Sequence, residues 1–261
     1  SDTPAPAGEP RPIVPAAPEV AGSLAERPRS RRALLPFASR IVVAVLVVAG
    51  LAYAFLSGDV GDRSRARSEV ESALGALEAG NPAEALIGFE RAFLLDSGLR
   101  ERHASRYVDA LVAEGLRALA GAGEGVGENV LVAASRFLEA TRRDPERFAA
   151  RFHLGRIYAR LSDWASAEGE LREAVRLEPG SLEARRYLAY VHFRAERYDE
   201  AIAGYAAAER LGGPEEATIY NVASSHALAG RRGAACQELR RGLGLLPDSE
   251  LLRRKLAELG C

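Results

Sequence analysis

The chain has 261 residues, and its 35 basic and 36 acidic side chains leave a formal charge of −1, which provides no long-range field for drawing in nucleic acid or an anionic surface. Two cysteines, at 236 and 261, exclude a C-x-x-C pair, a haem attachment motif and a four-ligand zinc cluster. The four histidines, at 103, 153, 192 and 226, include no H-x-x-x-H pair, so neither a metal nor a cofactor is expected.

In chain order, residues 1–36 hold eight prolines and almost no aromatic side chains, so this segment cannot bury a core and reads as an extended or disordered tail. Pro12, Pro15 and Pro18 form a P-x-x-P-x-x-P run that favours polyproline II, either as a spacer or as a ligand for an aromatic groove. From Phe37 to Leu56 the sequence FASRIVVAVLVVAGLAYAFL is apolar over about 20 residues, enough helix to cross about 30 Å of hydrocarbon. Residues 37–57 are therefore expected to be a transmembrane helix in contact with the lipid bilayer. Arg40 is close enough to one end to snorkel, and Tyr53 and Phe55 are near the other. Arg27, Arg29, Arg31, Arg32 and Arg40 precede the run, and Arg63, Arg65 and Arg67 follow it. The positive-inside rule then places the N-terminus in the cytoplasm and all that follows residue 57 in the periplasm or cell exterior. The rival reading is a cleaved export signal, since Ser30-Arg31-Arg32-Ala33-Leu34-Leu35 resembles a twin-arginine motif and Ala52-Tyr53-Ala54 a small-x-small cleavage site. Both readings export the remainder of the chain.

After a linker at 58–65, helical periodicity continues to the end and no strand pattern is visible, so the expected class is all-α. Three 34-residue blocks align without gaps at 148–181, 182–215 and 216–249. The first carries Leu154, Gly155, Tyr158, Ala167, Leu171, Ala174 and Pro179. The second has Leu188, Ala189, His192, Ala201, Tyr205 and Ala208, and the third Val222, Ala223, His226, Ala235, Leu239, Gly242 and Pro247. Two decayed units precede them over 66–147. One has Gly80-Asn81-Pro82-Ala83-Glu84-Ala85 with Phe89, Ala92 and Leu95; the other has Ala133, Phe137, Ala140 and Pro145 after a glycine-rich loop at 121–127. Residues 250–261 read as a capping helix.

This pattern resembles the tetratricopeptide repeat family, whose members stack antiparallel helix pairs into a solenoid. The usual aromatic residue at the fourth position is replaced by Arg151, Arg185 and Ile219. The resemblance implies a concave groove lined by first-helix side chains, here Phe152, Arg156, Arg160, Arg186, Tyr190, Phe193, Arg194 and Tyr220. Arginine fork geometry and aromatic area suit an acidic, extended or helical partner segment. The alternative is a solvated face whose arginines pair with Glu183, Glu196 or Glu200. The family's clamp for terminal carboxylates is not carried over, since only Asn221 matches its residue set. His192 and His226 take a large packing position, and Trp164 is expected to pack at a turn. Cys236, near the start of the last repeat's second helix, and Cys261, at the end of an antiparallel cap, are expected to form a disulfide, with a free thiol pair or an intermolecular bridge as the alternatives.

No nucleophile and base constellation and no phosphate loop accompany these helices, and Gly121–Gly127 lacks both the preceding strand and the Lys-Ser/Thr that phosphate binding needs. The chain is thus expected to be no enzyme, with no small-molecule substrate and no nucleic-acid partner. It reads as an anchored scaffold for other membrane or periplasmic proteins, a structural or assembly subunit of a multisubunit membrane complex. A soluble exported adaptor for client segments is the second reading. An enzyme hidden in 58–147, with Glu124 and Glu128 as its only candidate groups, is the third.

Overall fold

The computed structural model describes residues 37–122 and 127–261, without the side chains of 37–47 and 50–59. The proline-rich tail, the twin-arginine motif, and Glu124 with the middle of the glycine loop lie outside the described residues, and the cleavage motif at 52–54 is described only as helical backbone. Two compact units divide between Ala54 and Phe55. Of the first, Ser1–Ala54, only helical backbone from Phe37 onward and the exposed Val48 and Ala49 are described. The second, Phe55–Cys261, carries the repeats.

All regular structure among the described residues is helical. Helix α1 (Phe37–Glu78) runs unbroken for 42 residues, so 58–65 is helical and continuous with the first helix of the array. The apolar run opens this helix, with most of its side chains outside the described set. Among the described residues no helix is long and apolar enough to cross a membrane. Then follow α2 (Pro82–Leu95), the short α3 (Leu99–Arg102), α4 (Ala104–Ala120) and α5 (Glu128–Arg143). The aligned blocks form the pairs α6 (Phe148–Arg160) with α7 (Trp164–Leu177), α8 (Leu182–Arg194) with α9 (Tyr198–Gly212), and α10 (Glu216–Leu228) with α11 (Arg232–Leu245). Helix α12 (Glu250–Glu258) closes the array.

Small residues set the distance within each pair. A Cβ on Gly155 would stand 2.7 Å from Leu171 Cγ, and one on Gly204 2.9 Å from Ala189 Cβ, so these crossings admit no side chain. The turn between paired helices is equally repetitive. Gly80, Ser162, Glu196 and Gly230 all take positive φ, between 60° and 78°. The amide that follows each of them, of Asn81, Asp163, Arg197 or Arg231, donates to the carbonyl five residues back, of Ala76, Tyr158, His192 or His226 respectively, at 2.8–2.9 Å. Two of these left-handed positions hold residues with a Cβ, at a steric cost that glycine avoids. Ser162→Gly and Glu196→Gly are each expected to raise stability by about 0.5–1 kcal/mol, read as a higher urea midpoint at unchanged slope.

Between repeats the chain stops at proline. Asp144, Glu178 and Leu246, each preceding a proline, have left helical geometry with ψ of 90°, 83° and 69°. The arginines that replace the family's aromatic residue act here. Arg151 Nε donates to Pro145 O at 3.1 Å and Arg185 Nε to Pro179 O at 2.9 Å, while Arg253 reaches Pro247 O in the same way. Ile219, at the equivalent position of the third block, is instead buried with Leu239 and Leu252. The fourth position thus ties each proline turn to the following helix, or fills core where the connection differs.

Cys236 and Cys261 form a disulfide with Cα atoms 5.8 Å apart. It fastens the end of the cap to α11, where Arg232 and Arg240 also donate to Gly260 O and Cys261 O at 3.1 and 2.8 Å.

Candidate functional site

The first helices of the repeats line a cavity of about 670 Å³, a size suited to a short peptide segment. Its walls include Arg156, Arg160, Glu183, Arg186, Tyr187, Tyr190, Glu215 and Asn221, with Leu119 at the end nearer α4 and Tyr205 in the floor. Of the eight residues expected in the groove, Arg156, Arg160, Arg186 and Tyr190 line it. Phe152 is only 4 % exposed and supports the site from beneath. Phe193, Arg194 and Tyr220 are engaged elsewhere. The Phe193 ring packs edge-on against Tyr198 at 6.2 Å, and Arg194 lies 4.7 Å over the Trp164 ring while donating to Tyr190 Oη at 2.7 Å. Lys255 of the cap covers Tyr220 at 5.4 Å. Trp164 therefore packs where its helix begins, with Arg194 as its lid.

Two arginines of the groove differ in availability. Arg186 Nη1 pairs with Glu215 Oε2 at 2.6 Å, so none of the acids considered from sequence (Glu183, Glu196, Glu200) neutralises it. The Arg156 guanidinium has its Cζ 4.8 Å from the Tyr187 ring centroid and 5.5 Å from that of Phe152, and it has no carboxylate partner among the described residues. The two rings hold the planar cation in place and leave its N–H edges open, an arrangement that receives a carboxylate well. Deeper in, Asn221 Nδ2 donates to Tyr205 Oη at 3.1 Å. Burial raises the Tyr205 hydroxyl far above its ordinary range, so it remains a neutral hydrogen-bonding group. Tyr187 and Tyr205 were missed from the sequence. Tyr187 falls beside the positions taken as concave, and Tyr205 belongs to a second helix, yet α9 packs against both α8 and α10 and carries the ring under the groove.

Behind this wall, His153 lies between Phe137 and Phe152, with ring centroids at 5.3 and 5.1 Å. Burial, aided by the charge of Arg156, holds its imidazole down at about 4. Its neutral form is the one that fits the fold, so the stabilising contribution is complete above the unfolded-state value near 6.5 and is lost as pH falls toward 4. With allowance for solvent screening, the wild-type protein is expected to lose about 1–2 kcal/mol more than His153→Gln between pH 7 and 4 in paired urea titrations. Equal losses in the two proteins would contradict this. Of the other two histidines of the repeats, His192 Nε2 is 3.4 Å from Glu168 Oε1, while the buried Nδ1 atoms of His192 and His226 have no hydrogen-bond partner among the described residues. Among the described residues no cluster of three His, Cys, Asp or Glu side chains is placed to hold a metal ion.

A family model of the tetratricopeptide repeat matches residues 125–181 and 155–216. No curated protein matches the chain by sequence. Similar solved structures include YrrB, described as a TPR protein with an unusual peptide-binding site, at 21 % identity and a TM-score of 0.57, covering 72 % of this chain and 89 % of that one. MamA from Desulfovibrio magneticus RS-1 aligns at 16 % identity and a TM-score of 0.53, covering 71 % and 97 %. A second MamA structure, AMB-1, aligns at 18 % identity with a TM-score of 0.53, covering 72 % and 94 %. At these identities the likeness establishes the fold. Residues 125–216 match tetratricopeptide repeats, and the described residues of the array form an all-α solenoid.

Proposed function

We propose that this tetratricopeptide-repeat chain is a membrane-anchored, extracytoplasmic scaffold that acts by binding other proteins, with the groove across α6, α8 and α10 as its docking site. The observation that carries the reading is the Arg156 guanidinium, seated over the Phe152 and Tyr187 rings without an ion pair among the described residues, at the edge of a cavity of about 670 Å³. A partner segment bearing a carboxylate would complete that cation, and its apolar side chains would extend along the wall toward Leu119. The apolar run 37–57 supports the anchor. The Cys236–Cys261 bond supports an oxidising compartment on the repeat side of the bilayer.

Purification of the native protein in mild detergent, followed by cross-linking mass spectrometry, tests this reading. Stoichiometric membrane or periplasmic partners with cross-links beside the groove are expected. Arg156→Ala is expected to weaken the captured complex about 10- to 100-fold, the cost of losing a charge-assisted hydrogen bond at an interface centre. A lone protein, or partner binding indifferent to Arg156→Ala, would refute the assignment of the groove.

A further inference from the structure

The first helices of successive repeats present equivalent positions to the concave wall, and the chemistry of those positions changes from α4 to α6. A Cβ on Gly155 of α6 would meet Leu171 of α7, and one on Gly115 of α4 would meet the Phe137 ring of α5, each at 2.7 Å, so both glycines face the second helix of their pair. The residue after each glycine lies about 100° further round its helix and leaves in the same direction relative to that pair. In α6 it is Arg156, on the cavity wall; in α4 it is Leu116, 40 % exposed. Leu119, one turn beyond Leu116, borders the same cavity as Arg156, so the concave stripe of α4 runs into the groove.

From 112 to 120 that stripe holds Val112, Ala113, Leu116, Leu119 and Ala120 and no charged side chain, with Val112 and Leu119 half-buried on the core. Asp109, a turn earlier, is taken by Arg147 at 2.8 Å. On the other side the cavity wall carries Arg156, Arg160 and Arg186 against Glu183 and Glu215, of which Arg186 and Glu215 pair with each other, so one cation is in excess beside an uncharged stripe. Neighbouring helices lie about 8–10 Å apart. An extended chain in polyproline II advances about 3.1 Å per residue with three residues per turn, so residues i and i+3 point the same way about 9 Å apart. A helix spanning that distance needs about seven residues and, at about 10 Å across, fills roughly 800 Å³. The cavity holds about 670 Å³, which favours the extended chain.

We propose that α4 provides an apolar subsite, centred on Leu116, for the same partner segment whose carboxylate meets Arg156. The feature recognised is then a bulky apolar residue three positions from an Asp or Glu in an extended chain. This inference rests on the reading of the groove as a docking site. Arg156 supplies the charge selection and Leu116 the second point that fixes register, because a lone cation accepts an acid in any context while two unlike contacts accept one spacing.

The full chain in detergent micelles, panned against a random 12-residue peptide library displayed on phage, tests it. Selected peptides are expected to be enriched about tenfold over the input in an apolar residue three positions from an acid, the scale of burying one such side chain. Arg156→Gln should erase the acidic preference and Leu116→Ser the apolar one, each leaving the other. Leu116→Arg should replace the apolar preference by a second acid at the same spacing, a gain that a misfolded variant cannot produce. An acidic preference that depends on Arg156 without an apolar residue at fixed spacing would overturn the subsite and leave the groove reading standing. So would an apolar preference unmoved by Leu116→Ser and Leu116→Arg, or a spacing of seven among helix-forming residues. Absence of any acidic preference in the wild type would remove the groove reading and this inference with it.

Discussion

Phe137→Ala is expected to lower the stability of the array by about 3–5 kcal/mol, the cost of emptying a fully buried aromatic site whose surroundings collapse only in part. The Phe137 ring is 0 % exposed and holds three helices of two repeats together. It fills the notch left by Gly115 of α4, where a Cβ would stand 2.7 Å from the ring, and stacks on His153 of α6 at 5.3 Å. In a solenoid each repeat leans on its neighbours, so the defect should uncouple the two degenerate repeats from the three regular ones. Trp164, the only tryptophan, reports from the regular side. Urea unfolding followed by its fluorescence and by circular dichroism should coincide in the wild type and separate in Phe137→Ala. A loss below about 1 kcal/mol, with coincident curves, would show that the ring is not a keystone. Gly115→Ala should also destabilise, and less so in a Phe137→Leu background, because the two residues share one space.

Reduction of Cys236–Cys261, or the double substitution Cys236→Ala and Cys261→Ala, is expected to cost about 3 kcal/mol, set by closure of a loop spanning 25 residues in the unfolded chain. The effect should be local. Leu252 is the only fully buried residue of the nine in α12, with Leu256 and Leu259 partly buried against the same cluster, so the disulfide and the arginine bonds to residues 260 and 261 reinforce a small packed face. Hydrogen exchange across 250–261 should accelerate greatly on reduction, with Ile219 and Leu239 of the last repeat following, while 148–181 stays protected. Identical exchange in both redox states would mean that the cap holds by packing alone. The experiment also bears on compartment, since a bond on which the last repeat depends requires an oxidising one to form.

The 34-residue period, the helical hairpin and the disulfide pairing were legible along the chain, whereas the linker expected at 58–65 is part of α1. Each of the legible features follows from local or nearest-neighbour chemistry: small residues where helices cross, a left-handed turn, a proline stop, and two cysteines on facing elements. The groove was legible only in part, because a side chain's place on a helix says which face it leaves by and not what meets it there. Phe152, Phe193, Arg194 and Tyr220 were expected to face a partner; the structure buries the first and engages the others with Tyr198, Trp164 and Lys255, residues of neighbouring helices or of the cap. In the same way Arg151 and Arg185 read as departures from the family pattern, and only the folded connection shows their guanidinium groups fastening the proline turns.

By itself, then, the sequence determined the helical solenoid, because every decision about it is made within one repeat or between adjacent ones. The tertiary structure decided which cation stays unpaired. Arg186 found Glu215, just before α10, while Arg156 was fixed over the rings of Phe152 in α6 and Tyr187 in α8 with no ion pair among the described residues. That distinction depends on how one hairpin rotates over the next, a displacement of a few ångströms that residue spacing does not encode and that Coulomb attraction between side chains resolves.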